Sequence, residues 1–199
     1  MYLYPKWIRL WHWLNALIFL VLILTGISMQ YSNPDVPLID FKLSVNLHNI
    51  SGVVLTALYL IFLAGNIFSS NSKHYKLEKE DLKSRFQKQL KYYTSGIFKN
   101  EDTPYPIKEE NKFNPLQKVT YVLVMYICMP LILITGWAML FPEATVDKVF
   151  GTSGLFLTDI FHIILGFFLS VFMFIHVYFA SISHTPGGNF KAMVTGWHE

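Results

Sequence analysis

Phe161–His176 reads FHIILGFFLSVFMFIH, a run without a charged side chain that carries an imidazole near each end. The apolar stretch around it extends over residues 155–182, longer than the ~20 residues that cross a ~30 Å hydrocarbon core as a helix. A histidine inside such a helix is costly and marks a functional site. At 1.5 Å of rise per residue, His162 and His176 stand about 21 Å apart along the axis. Their fourteen-residue spacing falls about 40° short of four full turns, so both lie on one helix face. One face of this helix therefore offers one imidazole to each membrane leaflet.

Three further apolar stretches, at about residues 8–30, 45–68 and 115–141, match it in length. The chain is 53% hydrophobic and only 15% charged, with a mean hydropathy of +0.37. Backbone in lipid must satisfy its own hydrogen bonds, so these stretches are expected to be helices; the period-2 alternation of a membrane barrel is absent. The expected fold is an all-α membrane protein, a four-transmembrane-helix bundle forming a single domain over residues 1–199. The first stretch is read as a retained span: it exceeds the roughly 7–15 apolar residues of a signal peptide, lacks a small-residue cleavage site, and carries His12 and Asn15. The single cysteine, Cys128, rules out an internal disulfide and a C-x-x-C-H haem attachment, and is read as a packing residue.

Charge orients the bundle. Residues 69–113 hold ten Lys/Arg against seven Asp/Glu, and Lys6 and Arg9 precede the first span. The other two connections hold only Lys42 and Lys148 beside Asp35, Asp40, Glu143 and Asp147. By the positive-inside rule both termini and segment 69–113 face the cytoplasm. Within that segment Leu82, Phe86, Leu90, Tyr93 and Ile97 recur at helical spacing, which predicts an amphipathic helix, either on the inner membrane surface or solvated. Nothing suggests nucleic-acid binding.

The two halves also echo each other. LTGISM (24–29) ends the first span and ITGWAM (134–139) the third; His48-x-x-x-Gly52 opens the second and His162-x-x-x-Gly166 the fourth. Alternating direction places His12 and His176 at the inner depth, His48 and His162 at the outer depth. Four histidines thus form two cross-helix pairs. Haem iron accepts axial imidazoles, whereas zinc or di-iron sites want carboxylates or thiolates that these spans lack, and a proton relay over about 21 Å without carboxylates is a poor wire. Two bis-histidine b-type haems are the expectation. Gly52, Gly166, Gly26 and Gly136 either leave room for the macrocycle or allow close helix packing. Arg9 is read either as a partner for a haem propionate or as an interfacial anchor beside Lys6 and a belt of Trp7, Trp11 and Trp13. His74, His184 and His198 lie outside the spans and are expected at the surface.

The stretches RLWHWLNALIFLVLILTGISM, LHNISGVV, NPLQKVTYVLVMYICMPLILITGWAM and FHIILGFFLSVFMFIHVY together resemble the di-haem cytochrome b subunits of bacterial nickel–iron hydrogenases, formate dehydrogenases and thiosulfate-type reductases, which share the fold of bacterial cytochrome b561. The resemblance implies that His12 and His176 ligate the haem on the cytoplasmic side, and His48 and His162 the outer haem. It also implies a quinone site, for menaquinone or ubiquinone, near Asn114, Gln117 and Lys118; the same residues read as a helix cap, Asn114 followed by Pro115. The implied setting is the bacterial cytoplasmic (inner) membrane, with lipid, quinone and an iron–sulfur or multihaem redox subunit as partners. The chain has no C-x2-C cluster motif or dinucleotide fingerprint, so substrate chemistry is expected on that partner. Two other readings remain: a stand-alone cytochrome b561-type oxidoreductase using a small diffusible reductant such as superoxide, and a haem-free anchor or transporter.

Overall fold

The computed structural model describes all residues except 32, 34–35, 78–80, 100, 109–110, 182–186 and 199. Pro5 stands at the head of α1, Lys6–Gln30, and its carbonyl accepts the first helical N–H groups, from Ile8 and Arg9. The second helix, α2, spans Phe41–Phe68. It begins earlier than residue 45 because the Asp40 carboxylate accepts the Leu43 N–H at 2.9 Å, capping an added turn. Ser28 and Ser44, both almost fully buried, bring these two helices close: Ser44 Oγ donates to Ser28 Oγ at 3.2 Å, and Ser28 is also bonded to Ile39 in the connecting loop.

The third span is interrupted. It comprises α4, Pro115–Leu123, a π-helical turn at Val124–Cys128, and α5, Met129–Leu140. In the π turn the Met129 N–H bonds Val124 O, so Met125 O loses its α-helical partner. The next donor in π register would be Pro130, which has no N–H. The Tyr59 hydroxyl of α2 donates to Met125 O instead, at 2.9 Å. A two-residue turn then joins β1, Lys148–Val149, to β2, Thr152–Ser153, with Phe150 and Gly151 both at positive φ, as a tight hairpin requires. The fourth span, α6, is Gly154–Ser181; Ile182, the expected end of this span, lies outside the described residues.

Among the described residues four helical runs are long and apolar enough to cross a membrane. Side chains such as Leu17, Ile164, Phe167 and Phe174 are more than half exposed along them, an apolar exterior suited to lipid. The core lies toward the end of the bundle that holds the termini. Trp11 stacks on the fully buried Phe62 at 4.9 Å, with Leu55, Leu58, Val124, Cys128, Met129 and Leu169 around them. Trp11 is therefore not part of an interfacial belt: its indole N–H donates to Leu58 O at 2.7 Å, which offsets the cost of burying the ring's polar edge.

The segment between the second and third spans is folded against that same end. A 3-10 turn, Ser70–Tyr75, follows α2, and α3, Leu82–Lys91, packs on α4. Leu82, Phe86, Tyr93 and Ile97 of the predicted face are half-buried, but Leu90 is exposed and the buried Gln89 takes the inward position at that turn. The last helix, α7, Gly188–Thr195, lies across the start of α1. It accepts a hydrogen bond from Arg9 Nη1 at Val194 O and one from Trp13 Nε1 at Met193 O. Leu3 N–H bonds Gly196 O, and Tyr2 bridges Trp197, so the two ends of the chain are tied together.

Candidate functional site

Two imidazole pairs form where the sequence places them. His48 of α2 and His162 of α6 have ring centroids 6.3 Å apart with planes at 68°. His12 of α1 and His176 of α6 have centroids 6.2 Å apart with planes at 59°. A ring nitrogen lies about 1.1 Å from its centroid and coordinates a first-row metal ion at about 2.0 Å, so two imidazoles on opposite sides of one ion have centroids about 6.2 Å apart. The spacing of both pairs matches that span.

The repeated Thr-Gly motif has a clear role at the outer pair. Thr25 Oγ1 donates its one proton to Val21 O at 2.7 Å and lies 2.9 Å from His48 Nδ1. Thr135 Oγ1 does the same with Leu131 O at 2.9 Å and lies 2.9 Å from His162 Nδ1. With its proton committed, each hydroxyl oxygen accepts Nδ1–H, which fixes the tautomer and leaves Nε2 as the basic nitrogen. The following glycines make room for the rings: a Cβ on Gly136 would stand 3.3 Å from His162 Cε1, and one on Gly26 3.6 Å from His48 Cε1. These two glycines thus face the imidazoles, whereas Gly52 and Gly166 have nothing within 4 Å of an added Cβ and border open space.

The inner pair is held differently. Tyr121 Oη approaches His176 Nδ1 at 3.4 Å, and Phe172 stacks on the His176 ring at 5.9 Å. His12 Nδ1 is a buried atom without a hydrogen-bond partner, as are Arg9 Nε and Asn15 Oδ1 on the same helix. Arg9 is anchored through Nη1 to Val194, which leaves Nε beside the inner pair's helix as a donor awaiting an acceptor.

Asn114 and Gln117 form a reciprocal capping box: Gln117 N–H donates to Asn114 Oδ1 at 2.9 Å and Asn114 N–H to Gln117 Oε1 at 3.1 Å. Asn114 Nδ2 donates to the Tyr93 hydroxyl at 2.9 Å, and Lys118 is buried beside them. The cap thus uses both polar atoms of the Asn114 side chain and leaves Gln117 Nε2 outside it. His74 departs from expectation: it is buried, 4% exposed, with its ring 6.3 Å from Phe113. Folding of segment 69–113 onto the bundle end covers it. His198 is half-buried where the chain ends pair, and His184 lies outside the described residues.

These residues fit haem. Each pair offers two imidazoles at the separation one ion between them would need, and among the described residues no group of three or more His, Cys, Asp and Glu gathers as a metal site built from protein alone would need. A group that brings its own equatorial donors suits such a pair, and open space beside Gly52 and Gly166 suits a flat macrocycle. The two threonines were visible in the sequence only as a repeat; their contact with histidines on neighbouring helices needs the tertiary fold.

A model of the family described as prokaryotic cytochrome b561 matches residues 3–196. The chain is also 38% identical, over 197 residues, to the Escherichia coli (strain K12) protein named "Putative cytochrome YdhU", covering 99% of this chain and 74% of that one. With helices, histidine pairs and cradles of the kind a membrane cytochrome requires, the chain belongs to the prokaryotic cytochrome b561 family, multi-pass membrane electron-transfer proteins that bind b-type haem.

Proposed function

We propose that this chain is the di-haem membrane subunit of a multi-subunit respiratory oxidoreductase, linking a redox partner at the outer face of the cytoplasmic membrane to the quinone pool near the inner face. The observation that carries this reading is the pair of imidazole pairs, at 6.3 and 6.2 Å, one at each end of the same face of α6. His48 and His162 would hold one haem b, His12 and His176 the other. Bound haem iron supplies one-electron redox chemistry, whose potential is set by ligands, hydrogen bonds and burial.

The chain's own residues do the rest. Thr25 and Thr135 keep the outer imidazoles in one tautomer and orientation. Arg9, with its Nε unpaired, is placed to hold a propionate at the inner pair. The capped start of α4 offers a quinone carbonyl the Gln117 Nε2 donor, with the Lys118 ammonium as a local source of positive charge and protons.

The test is a reduced-minus-oxidised visible spectrum of the detergent-purified protein with haem counted per chain. Two low-spin b haems are expected, one lost in His48→Ala and the other in His12→Ala, and a menaquinol or ubiquinol analogue should reduce the wild type. A single haem, or none from haem-replete cells, would overturn the di-haem reading. Purification of the native protein alone, with no redox subunit attached under mild solubilisation, would overturn its place in a complex.

A further inference from the structure

A second site lies at the end of the bundle that holds the chain termini. The cavity is bounded by Trp7 and the residues before it on one side, and on the other by Ser69, Ser70, Asn71, Lys73, His74 and Lys112. Its volume is about 280 Å³. His74 is 4% exposed, yet its Nδ1 has no hydrogen-bond partner, an orphan that a buried imidazole rarely tolerates. Two ammonium groups share the cavity with it, and among the described residues none that lines it is acidic. Burial and the nearby Lys112, Lys73 and Lys118 push His74 down to about 4, and burial together with Lys73 lowers Lys112. The Lys112 ammonium lies over the Tyr4 ring, 5.7 Å from its centroid, a contact that leaves its positive charge unneutralised. The cluster is built as half of an ionic site.

We infer that this cavity binds the phosphate of an anionic lipid headgroup, held by Lys73, Lys112 and His74, with the Ser69–Asn71 turn supplying further polar contacts. Phosphate matches the donor set: two ammonium groups and an imidazole meet an acceptor-only group of concentrated negative charge. The lipid source follows from position. The cavity opens at the last turn of α2, directly after Ile67 and Phe68, which are 76% and 88% exposed and continue the lipid-facing surface along which acyl chains would lie. Trp7 closes the other side, seated on Gly65, where an added Cβ would come within 2.6 Å of the ring. This inference needs only the membrane fold and stands apart from the haem and quinone assignments.

The experiment uses the haem-loaded protein, delipidated in a neutral detergent, with thermal midpoint and bound lipid read by mass spectrometry. Phosphatidylglycerol should raise the midpoint and remain bound, while phosphatidylcholine and inorganic phosphate at equal concentration should do neither. In Lys73→Gln/Lys112→Gln, phosphatidylglycerol affinity should fall about thirtyfold, at roughly a factor of five per lysine near a membrane surface. Without lipid that variant should melt no lower than wild type, since it relieves cation crowding, and this separates lost binding from lost folding. Lys148→Gln, in the hairpin at the opposite end, should bind lipid as wild type does. Equal stabilisation by inorganic phosphate would overturn the lipid assignment, and full phosphatidylglycerol affinity in the double variant would overturn the site.

Discussion

Thr135 and Thr25 act on histidines that lie on other helices, so in the proposed di-haem arrangement their effect belongs to the haem electronics more than to folding. A hydroxyl that has committed its proton to a carbonyl is a good acceptor, and accepting Nδ1–H makes the imidazole a stronger donor to iron. Stronger donation favours the oxidised metal, so Thr135→Val should raise the outer midpoint potential. A net hydrogen bond of about 1 kcal/mol corresponds to about 40 mV for one electron. Spectroelectrochemistry should show the outer haem moving and the inner one not; an unchanged outer potential would count against the tautomer argument. His74 carries a different prediction. Its proton affinity is lowered from 6.5 to about 4, so between those values the unfolded chain binds a proton that the folded chain refuses. Stability should therefore be complete above about pH 6.5 and decline as pH falls toward about 4. In lipid-free detergent, His74→Asn should flatten that decline in thermal midpoint relative to wild type. Spacing in the sequence was enough to pair the four intramembrane histidines. It could not reveal Thr25 or Thr135 as their partners, nor that His74 is buried, because each depends on which segments pack together.

The interrupted third span illustrates why elements are read less completely than residues with strong chemistry. Apolar composition announces a helix over 115–141, but the π turn depends on a hydrogen bond made by another helix. Met125 O is left without Met129 N–H, and Pro130 has no N–H to give, so the Tyr59 hydroxyl completes it. Removing that donor strands a partly buried carbonyl, at a cost of about 1–3 kcal/mol. Tyr59→Phe should destabilise the protein by that amount in a denaturant titration. In a Pro130→Ala background the cost should shrink, because the backbone N–H gained at position 130, or a relaxed α-helical register, can satisfy Met125 O. A double-mutant cycle checks this, and strictly additive effects would refute the coupling. Other elements escaped the sequence for similar reasons. The terminal helix α7 is short and ordinary in composition, and is held by Arg9 and Trp13 of α1 rather than by its own propensity. On α3, tertiary docking selects Gln89 over Leu90 for the inward position, which periodicity alone would not choose.

At the scale of the whole molecule, the fold class was legible because bilayer thickness and backbone hydrogen bonding leave few alternatives for four long apolar runs. Sidedness is predicted in another way, from charge. An even number of spans returns the chain to its starting side, and the structure agrees: Met1 N donates to His198 O at 3.0 Å, and segment 69–113 folds against that same end. The hairpin Lys148–Ser153 and the loop before α2 lie at the other. Ten basic residues in segment 69–113 then predict which end is cytoplasmic. This can be tested with single cysteines, since native Cys128 is buried in the core, 5% exposed, and should remain silent to a bulky maleimide. Val146, 67% exposed beside the hairpin, and Lys88, on the exposed side of α3, suit the two ends. In intact spheroplasts a membrane-impermeant maleimide should label Val146→Cys and spare Lys88→Cys; in inverted vesicles the preference should reverse. The opposite pattern would place the inner histidine pair, the capped start of α4 and the basic cavity on the outer face. The quinone and lipid assignments would then have to be exchanged between leaflets, while the two histidine pairs would keep their geometry.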